Sequence, residues 1–191
     1  MSFYSPEALH KLGFMSVGEN VRLSTRASIY GASRISLGSH SRIDDFCVLS
    51  AGDGGIDIGR NVHVAVMSSL IGKGHIKVGD FCNISSRVSI YSSSDDYSGE
   101  FMTNPTVSEE FTNVDHRGVT LNRHVIIGSG TVILPGVTVG EGVAVGALSL
   151  VAKDLESFSI YSGSPIKLLK SRSKRLLELE KLYLDTVHTC P

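Results

Sequence analysis

Two adjacent carboxylates, Asp95 and Asp96, with Tyr97 behind them, and the imidazoles His63, His116 and His124 are the side chains best suited to move a proton near neutral pH. Plainer uses compete with that chemistry. Asp95 and Asp96 stand just before Gly99 in a serine-rich stretch that suits a polar turn, and an isolated histidine is more often merely solvated or satisfied. Asp44 and Asp45 form a second carboxylate pair, fit either to bind a polar ligand or to cap a corner of the chain. The three cysteines, Cys47, Cys82 and Cys190, include no CxxC pair, and no His/Cys/Asp cluster has ligand spacing; a disulfide framework, a zinc ribbon and a required metal are not indicated. Cys47 and Cys82 occupy repeat positions that packing explains. The basic residues from Lys167 to Arg175 are too few to argue for nucleic acid, yet enough to meet a few phosphates.

A short repeat positions these groups. VGENVRL from Val17, LGSHSRI from Leu37, IGRNVHV from Ile58, VGDFCNI from Val78, LNRHVII from Leu121 and VGEGVAV from Val139 share one pattern: an aliphatic, usually Gly, two variable residues, a small or apolar one, another variable one and an aliphatic. Within each copy the aliphatics step by six: Val17, Leu23, Ile29; Leu37, Ile43, Leu49; Ile58, Val64, Leu70; Val78, Ile84, Ile90; Leu121, Ile127, Ile133; Val139, Val145, Val151. Six matches neither the helical period nor a long alternating strand. It predicts short strands joined by tight corners, three to a coil, with the aliphatics stacked inward: an all-β, left-handed parallel β-helix of hexapeptide repeats. The Gly after the aliphatic is expected to serve the corner by adopting a positive φ.

The copies start 20, 21, 20, 43 and 18 residues apart. The long interval marks an insertion of roughly 25 residues within 92–118, which stacked coils cannot absorb and must expel as an external loop. Ser5, Pro6 and Gly13 punctuate a short N-terminal helix that covers the first coil, and apolar spacing from Ser173 to Leu184 predicts a C-terminal helix used for capping or packing. The resulting organisation is a cap over 1–16, the β-helix over 17–160 with its loop at 92–118, and a C-terminal segment over 161–191.

A chain of 191 residues can bury one such core. With 41% hydrophobic residues and a formal net charge of −1, it offers no electrostatic case for binding nucleic acid or a membrane surface. No segment resembles a signal peptide or approaches the roughly 18 apolar residues of a membrane span, so a cytoplasmic protein is expected.

The repeats, together with IIGSGTVILPGVTVGEGVAVGALSLVAKDL from Ile126 and SIYSGSPIKLLKSR from Ser159, resemble the hexapeptide-repeat acyltransferases over Val17 to Arg172. RIDDFCVLSAG from Arg42 and SIYSSSDDYSGEFMTNPTV from Ser89 narrow the resemblance to the nucleotide-sugar acyltransferases of surface polysaccharide synthesis, the O-antigen type among them. That resemblance implies a homotrimer with active sites in clefts between neighbouring β-helices, where acetyl-CoA, the acyl donor, lies along the later coils. It implies that Gly128, Ser129, Gly146 and Ala147 let pantetheine approach the backbone, and that Lys153, Lys167, Lys170 and Arg172 meet its phosphates. The family's Gly-Asn-Pro-Ala-Lys segment is here Gly163-Ser164-Pro165-Ile166-Lys167.

In the sugar O-acetyltransferases of this superfamily a histidine at the mouth of the long loop is the general base, and alignment from Val78 puts Asp95 there. A hydroxyl needs a base during attack, whereas a neutral amine already carries a usable lone pair and can lose its proton afterwards. The missing histidine therefore favours N-acylation of an amino group on a nucleotide-linked deoxysugar, with Asp95 catalytic, Asp96 and Tyr97 shaping the pocket, and Asp44, Asp45 and His63 binding the acceptor. Two other readings stand beside it: an O-acetyltransferase acting on a sugar hydroxyl, and a non-catalytic or metal-binding β-helix in which His63 and His75 serve as ligands.

Overall fold

In the computed structural model, which describes residues 2–189, the chain is a parallel β-solenoid of triangular section. Each coil crosses three sheets in turn, and each strand pairs in parallel with the strand one coil away. The six-residue stepping predicts the register residue by residue. On the first face Val17, Leu37, Ile58, Val78, Leu121 and Val139 stack as direct partners. Leu23, Ile43, Val64, Ile84, Ile127 and Val145 do so on the second. Ile29, Leu49, Leu70, Ile90, Ile133 and Val151 complete the third. All but Val17 and Ile29 are buried, and those two belong to the first coil, which has a neighbour on one side only. Burying each such side chain is worth about 1.5–3 kcal/mol, so the column is the main source of cohesion.

The corner glycines require a correction. Those following the first-face aliphatic are not left-handed; the positive φ falls two positions later, on Asn20, His40, Asn61, Phe81, His124 and Gly142. Glycine is needed for a different reason, shown by Gly38: an added Cβ would lie 2.5 Å from the Arg60 nitrogen and 2.6 Å from the Gly59 carbonyl oxygen of the next coil. Coil-to-coil approach of backbone, rather than backbone conformation, selects the residue.

The ends close the solenoid unequally. A five-residue helix, α1 (Pro6–His10), starts at Ser5, whose hydroxyl accepts the Ala8 N–H, and inserts Leu9 into the core. At the other end the second face continues past Val145 with Ser159–Ser162 and then an antiparallel strand, Lys167–Ser171. The long helix α2 (Arg175–Thr189) lies along the corner between the first and second faces. There Glu180 accepts from His124 at 2.9 Å and pairs with Arg123, while the Tyr183 hydroxyl accepts from Asn61 and its ring meets Phe81 edge-on. Among the described residues no helix is long and apolar enough to cross a membrane.

Cys47 and Cys82 occupy the small-residue position of the repeat and point their thiols at the carbonyls of Ala65 and Asn122, both at 3.1 Å. Burial pushes the thiol of Cys47 up to about 11 and that of Cys82 up to about 12. Cys190 lies outside the described residues. A Cys190→Ser variant is expected to show no thiol reactive toward a disulfide reagent at pH about 8 while folded, and two on unfolding, because thiolate is the reactive form.

Candidate active site

The spacing of 20 and 21 residues in the early coils, rather than 18, reflects extra residues at the corner joining the third face to the first. Ala51–Gly55 and Gly72–His75 make the turns there, and the long loop leaves the next coil at the same corner. Its two legs, Ser93–Ser94 and Asp115–His116, pair antiparallel into a stem. The Lys73 N–H donates to Ser93 Oγ at 2.8 Å, which leaves the Ser93 hydroxyl proton for His116 Nδ1 at 2.7 Å. Ser92 Oγ donates to the Gly74 carbonyl, and the Lys73 ammonium pairs with Glu109 at 3.2 Å. Beyond the stem a turn at Glu109–Phe111 and a bridge between Met102 and Thr112 fold the loop back, roofing a cleft of about 670 Å³. Ile71 and Gly72 contribute its floor from the coil; Asn104, Pro105, Val107 and Asn113 contribute its roof from the loop.

Asp95 is the first residue beyond the stem and lines both this cleft and an outer hollow under the loop. Among the described residues its carboxylate receives no hydrogen bond, so it stands ready to take a proton or hold an amine. Asp96 behaves differently. Its carboxylate accepts from Ser98 Oγ at 2.8 Å and from the Gly99 N–H at 3.1 Å, bonds that hold its carboxyl below the usual carboxylate range, with the Ser98 bond the larger cause. The polar-turn reading thus describes Asp96 and not Asp95. Tyr97 is 93% exposed, and it and Asp96 face the outer hollow rather than the main cleft.

The remaining expected residues gather on another corner. Immediately after the second-face aliphatics, Ser24, Asp44, Ala65, Ser85, Gly128 and Gly146 succeed one another coil by coil, each donating its N–H to an aliphatic carbonyl of the next coil, or of Tyr161 for the last. Ser129 and Ala147 follow Gly128 and Gly146 on this corner, the second-to-third one, so carboxylates occupy its early end and small residues its late end. Gly128 is required there by stacking, since a Cβ would fall 2.5 Å from the Ala147 nitrogen. Asp44 is buried and receives Arg42 Nε at 2.7 Å and His63 Nε2 at 2.9 Å, while His63 Nδ1 meets Asn83 at 3.2 Å. Burial pushes the Asp44 carboxyl up, but the His63 and Arg42 hydrogen bonds together outweigh it and hold the pKa below its ordinary value. Asp45 is engaged by Ser24 and, at 3.6 Å, by Arg26.

Of the cations, Lys153, Lys167 and Lys170 are exposed. Arg172 instead turns one guanidinium nitrogen onto the carbonyls of His124, Gly142 and Val143, and burial lowers its pKa; its placement is that of a brace between α2 and the last coils. The rival histidines separate as well. His75 pairs with Asp57 on the first face, away from His63, and His124 stacks on Phe81 beneath α2. His116 lines the main cleft. Lys73, Asn104 and Asn113, which also line it, are not singled out by the sequence; the excess length of the early coils was the available signal. No group of three or more His, Cys, Asp or Glu among the described residues is placed to hold a metal ion.

No family model matches the chain. It is similar to the dTDP-4-amino-4,6-dideoxy-D-glucose acyltransferase of Escherichia coli, with 52% identity over 183 residues that cover 96% of this chain and 95% of that one. It is also similar to AntD, an N-acyltransferase from Bacillus cereus solved with dTDP and 3-hydroxybutyryl-CoA: the TM-score is 0.94 at 44% identity, covering 98% and 99% of the two chains. A cysteine variant of AntD, solved with dTDP-4-amino-4,6-dideoxyglucose and coenzyme A, superimposes with a TM-score of 0.93 at 45% identity over 97% and 98% of the chains. Shared identity of this extent over nearly whole chains, on the same solenoid, means that the chain belongs to the family of the dTDP-4-amino-4,6-dideoxy-D-glucose acyltransferases.

Proposed function

We propose that this enzyme transfers a short acyl group, acetyl as the reference donor, from coenzyme A to the 4-amino group of dTDP-4-amino-4,6-dideoxyglucose, in the cytoplasm and for surface polysaccharide synthesis. One observation carries the reading: the accessible carboxylate, Asp95, and the small-residue column through Ser85, Gly128 and Gly146 stand at different corners of one triangular solenoid. A site that uses both is assembled from two chains, and three left-handed β-helices around an axis make three such clefts. An exposed apolar column supports that assembly. Phe46, Met67 and Leu148, on the same corner as the small residues, are 53%, 50% and 77% exposed.

In the cleft the amine nitrogen attacks the thioester carbonyl, the C–N bond forms, and the tetrahedral adduct expels coenzyme A as the C–S bond breaks. The proton lost by the nitrogen goes to Asp95, and the thiolate takes up a proton as it leaves. A backbone N–H at the junction steadies the oxyanion. AntD has also been solved with substitutions at one serine and one aspartate; in this chain we assign the corresponding pair to Ser85, from one copy, and Asp95, from its neighbour. Lys153, Lys167 and Lys170 remain for the phosphates of coenzyme A, with Asp44, Asp45 and His63 forming the early wall of the shared cleft.

The test is thiol release from acetyl-CoA and from 3-hydroxybutyryl-CoA with the 4-amino sugar nucleotide and with its 4-hydroxy counterpart. Release with the amino compound alone is expected, from a species whose light-scattering mass is that of three chains. Release with the hydroxy compound alone makes the enzyme an O-acyltransferase.

A further inference from the structure

Outward residues of the second face stack as strictly as the inward ones. Arg22, Arg42 and His63 are direct partners on successive coils, followed by Asn83, Ile126 and Ala144, so the early end of this face carries basic side chains in register and the late end none. Like charges set directly opposite on neighbouring strands oppose their pairing. Asp44 relieves part of that repulsion, because Arg42 Nε and His63 Nε2 both donate to it, and the Arg42 guanidinium also lies over the Phe3 ring, 5.6 Å from its centre. Arg22 has no such relief; its partner in the ladder is another arginine. Both arginines line a hollow of about 540 Å³ with Pro6, Asn20, Val21 and His40. Asn20 and His40 hold left-handed φ at the first-to-second corner, in the same column that α2 lies along at Asn61, Phe81 and His124. Among the described residues the Arg22 guanidinium, the His40 ring and the Asn20 carboxamide have no hydrogen-bond or ion-pair partner, and no carboxylate lines the hollow. Glu7, on the helix that supplies Pro6, is instead engaged by Ser5.

We propose that this hollow binds the diphosphate group of a phosphorylated ligand, at the first-to-second corner and so apart from the long loop and Asp95 at the third-to-first corner. Neighbouring strands lie about 4.8 Å apart, so Arg22 and Arg42 present two guanidinium forks one strand apart. Two linked phosphoryl groups engage both forks at once, whereas an orthophosphate fills one. The bound anion also removes the repulsion between the stacked arginines. From the corner side the His40 ring and the Asn20 amide add neutral donors, and Pro6 and Val21 keep one wall free of polar groups, where charge-assisted hydrogen bonds are stronger. Free pyrophosphate, a nucleoside diphosphate and a prenyl diphosphate share this chemistry.

The test is calorimetric titration of the intact protein with pyrophosphate, orthophosphate, dTDP and geranyl diphosphate, repeated on Arg22→Gln and His40→Asn. Both variants are mild: Arg22 is exposed on the first coil, and asparagine already holds the left-handed corner at Asn20 and Asn61. Pyrophosphate is expected to bind the parent about tenfold or more tightly than orthophosphate does, and Arg22→Gln to weaken it about tenfold or more, the worth of one charge-assisted hydrogen bond. His40→Asn should weaken it about fivefold, the worth of a neutral one. Turnover of the amino sugar nucleotide should be unchanged in both variants, and the thermal midpoint of ligand-free Arg22→Gln should not fall, since a like charge has left the ladder. Because dTDP has the catalytic cleft as well, only the part of its binding that Arg22→Gln removes belongs to the hollow; the diphosphate that loses most affinity in that variant names the source. Unchanged pyrophosphate binding in Arg22→Gln, or equal binding of pyrophosphate and orthophosphate to the parent, overturns the site. A fall in turnover in Arg22→Gln at an unchanged thermal midpoint assigns Arg22 to the catalytic cleft and overturns the separate site as well.

Discussion

Asp95→Asn is expected to lower turnover by about 10²-fold, near the lower end of what a positioned proton acceptor contributes. Asparagine keeps the shape and one acceptor oxygen, so binding of coenzyme A and of dTDP should change little. What disappears is the group that takes a proton from the nitrogen. Without it the adduct must lose that proton to solvent base, whose supply grows with pH. The variant's rate should therefore climb with pH over a range in which the parent enzyme has levelled off. The measurement is kcat against pH for both proteins, with binding followed separately. An equal rate at neutral pH takes Asp95 out of the mechanism. A loss that is the same at every pH reassigns it to holding the substrate, since orientation alone carries no such slope. The neighbouring carboxylate is the control: Asp96→Asn removes only a turn-stabilising acceptor for Ser98 and Gly99 and should leave the pH profile intact.

The contrast between those two aspartates shows what the sequence can and cannot display. Stacking repeats once per coil, so all eighteen inward aliphatics are legible from their six-residue steps, as is the point where the coil is interrupted. The order of the faces then places Asp44 and Gly128 on one corner without further information. The loop has no repeat to read. Asp95 and Asp96 are identical in type and adjacent, and only the stem between Ser93–Ser94 and Asp115–His116, with the turn that follows it, sends one carboxylate to the cleft and the other to its own backbone. Asn113 is eighteen positions from Asp95 in the chain, and it is the folding back of the loop that makes the two line one cleft. Arg172 is equally hard to place from sequence: proximity to other cations suggests phosphate, while the corners at His124 and at Gly142 and Val143 offer it three carbonyls at short range.

Gly38→Ala is expected to destabilise the protein by about 2–4 kcal/mol, which is large for a single methyl group. The usual argument for a corner glycine predicts otherwise. Were positive φ the reason, the cost would be the roughly 1–2 kcal/mol of a left-handed alanine, reduced by the 0.4–1 kcal/mol gained from a less flexible unfolded chain. Gly13 is that case: φ is +74° and nothing lies within 4 Å of an added Cβ, so Gly13→Ala should cost no more than about 1.6 kcal/mol. At Gly38 the added carbon meets the backbone of Gly59 and Arg60, and backbone in a neighbouring coil cannot turn aside as a side chain would. The coils must separate locally, which stretches the Gly38 N–H to Ile58 carbonyl bond of 2.7 Å and loosens the contact of Leu37 with Ile58. In a stack where each coil touches only its neighbours, that damage stays near coils two and three and lowers the first unfolding step more than the last. Urea unfolding of the two variants, read with hydrogen exchange at Ile58 and at Val145, measures both the size and the location. If the Gly13 variant proves the weaker protein, coil spacing is not what selects glycine at the corners.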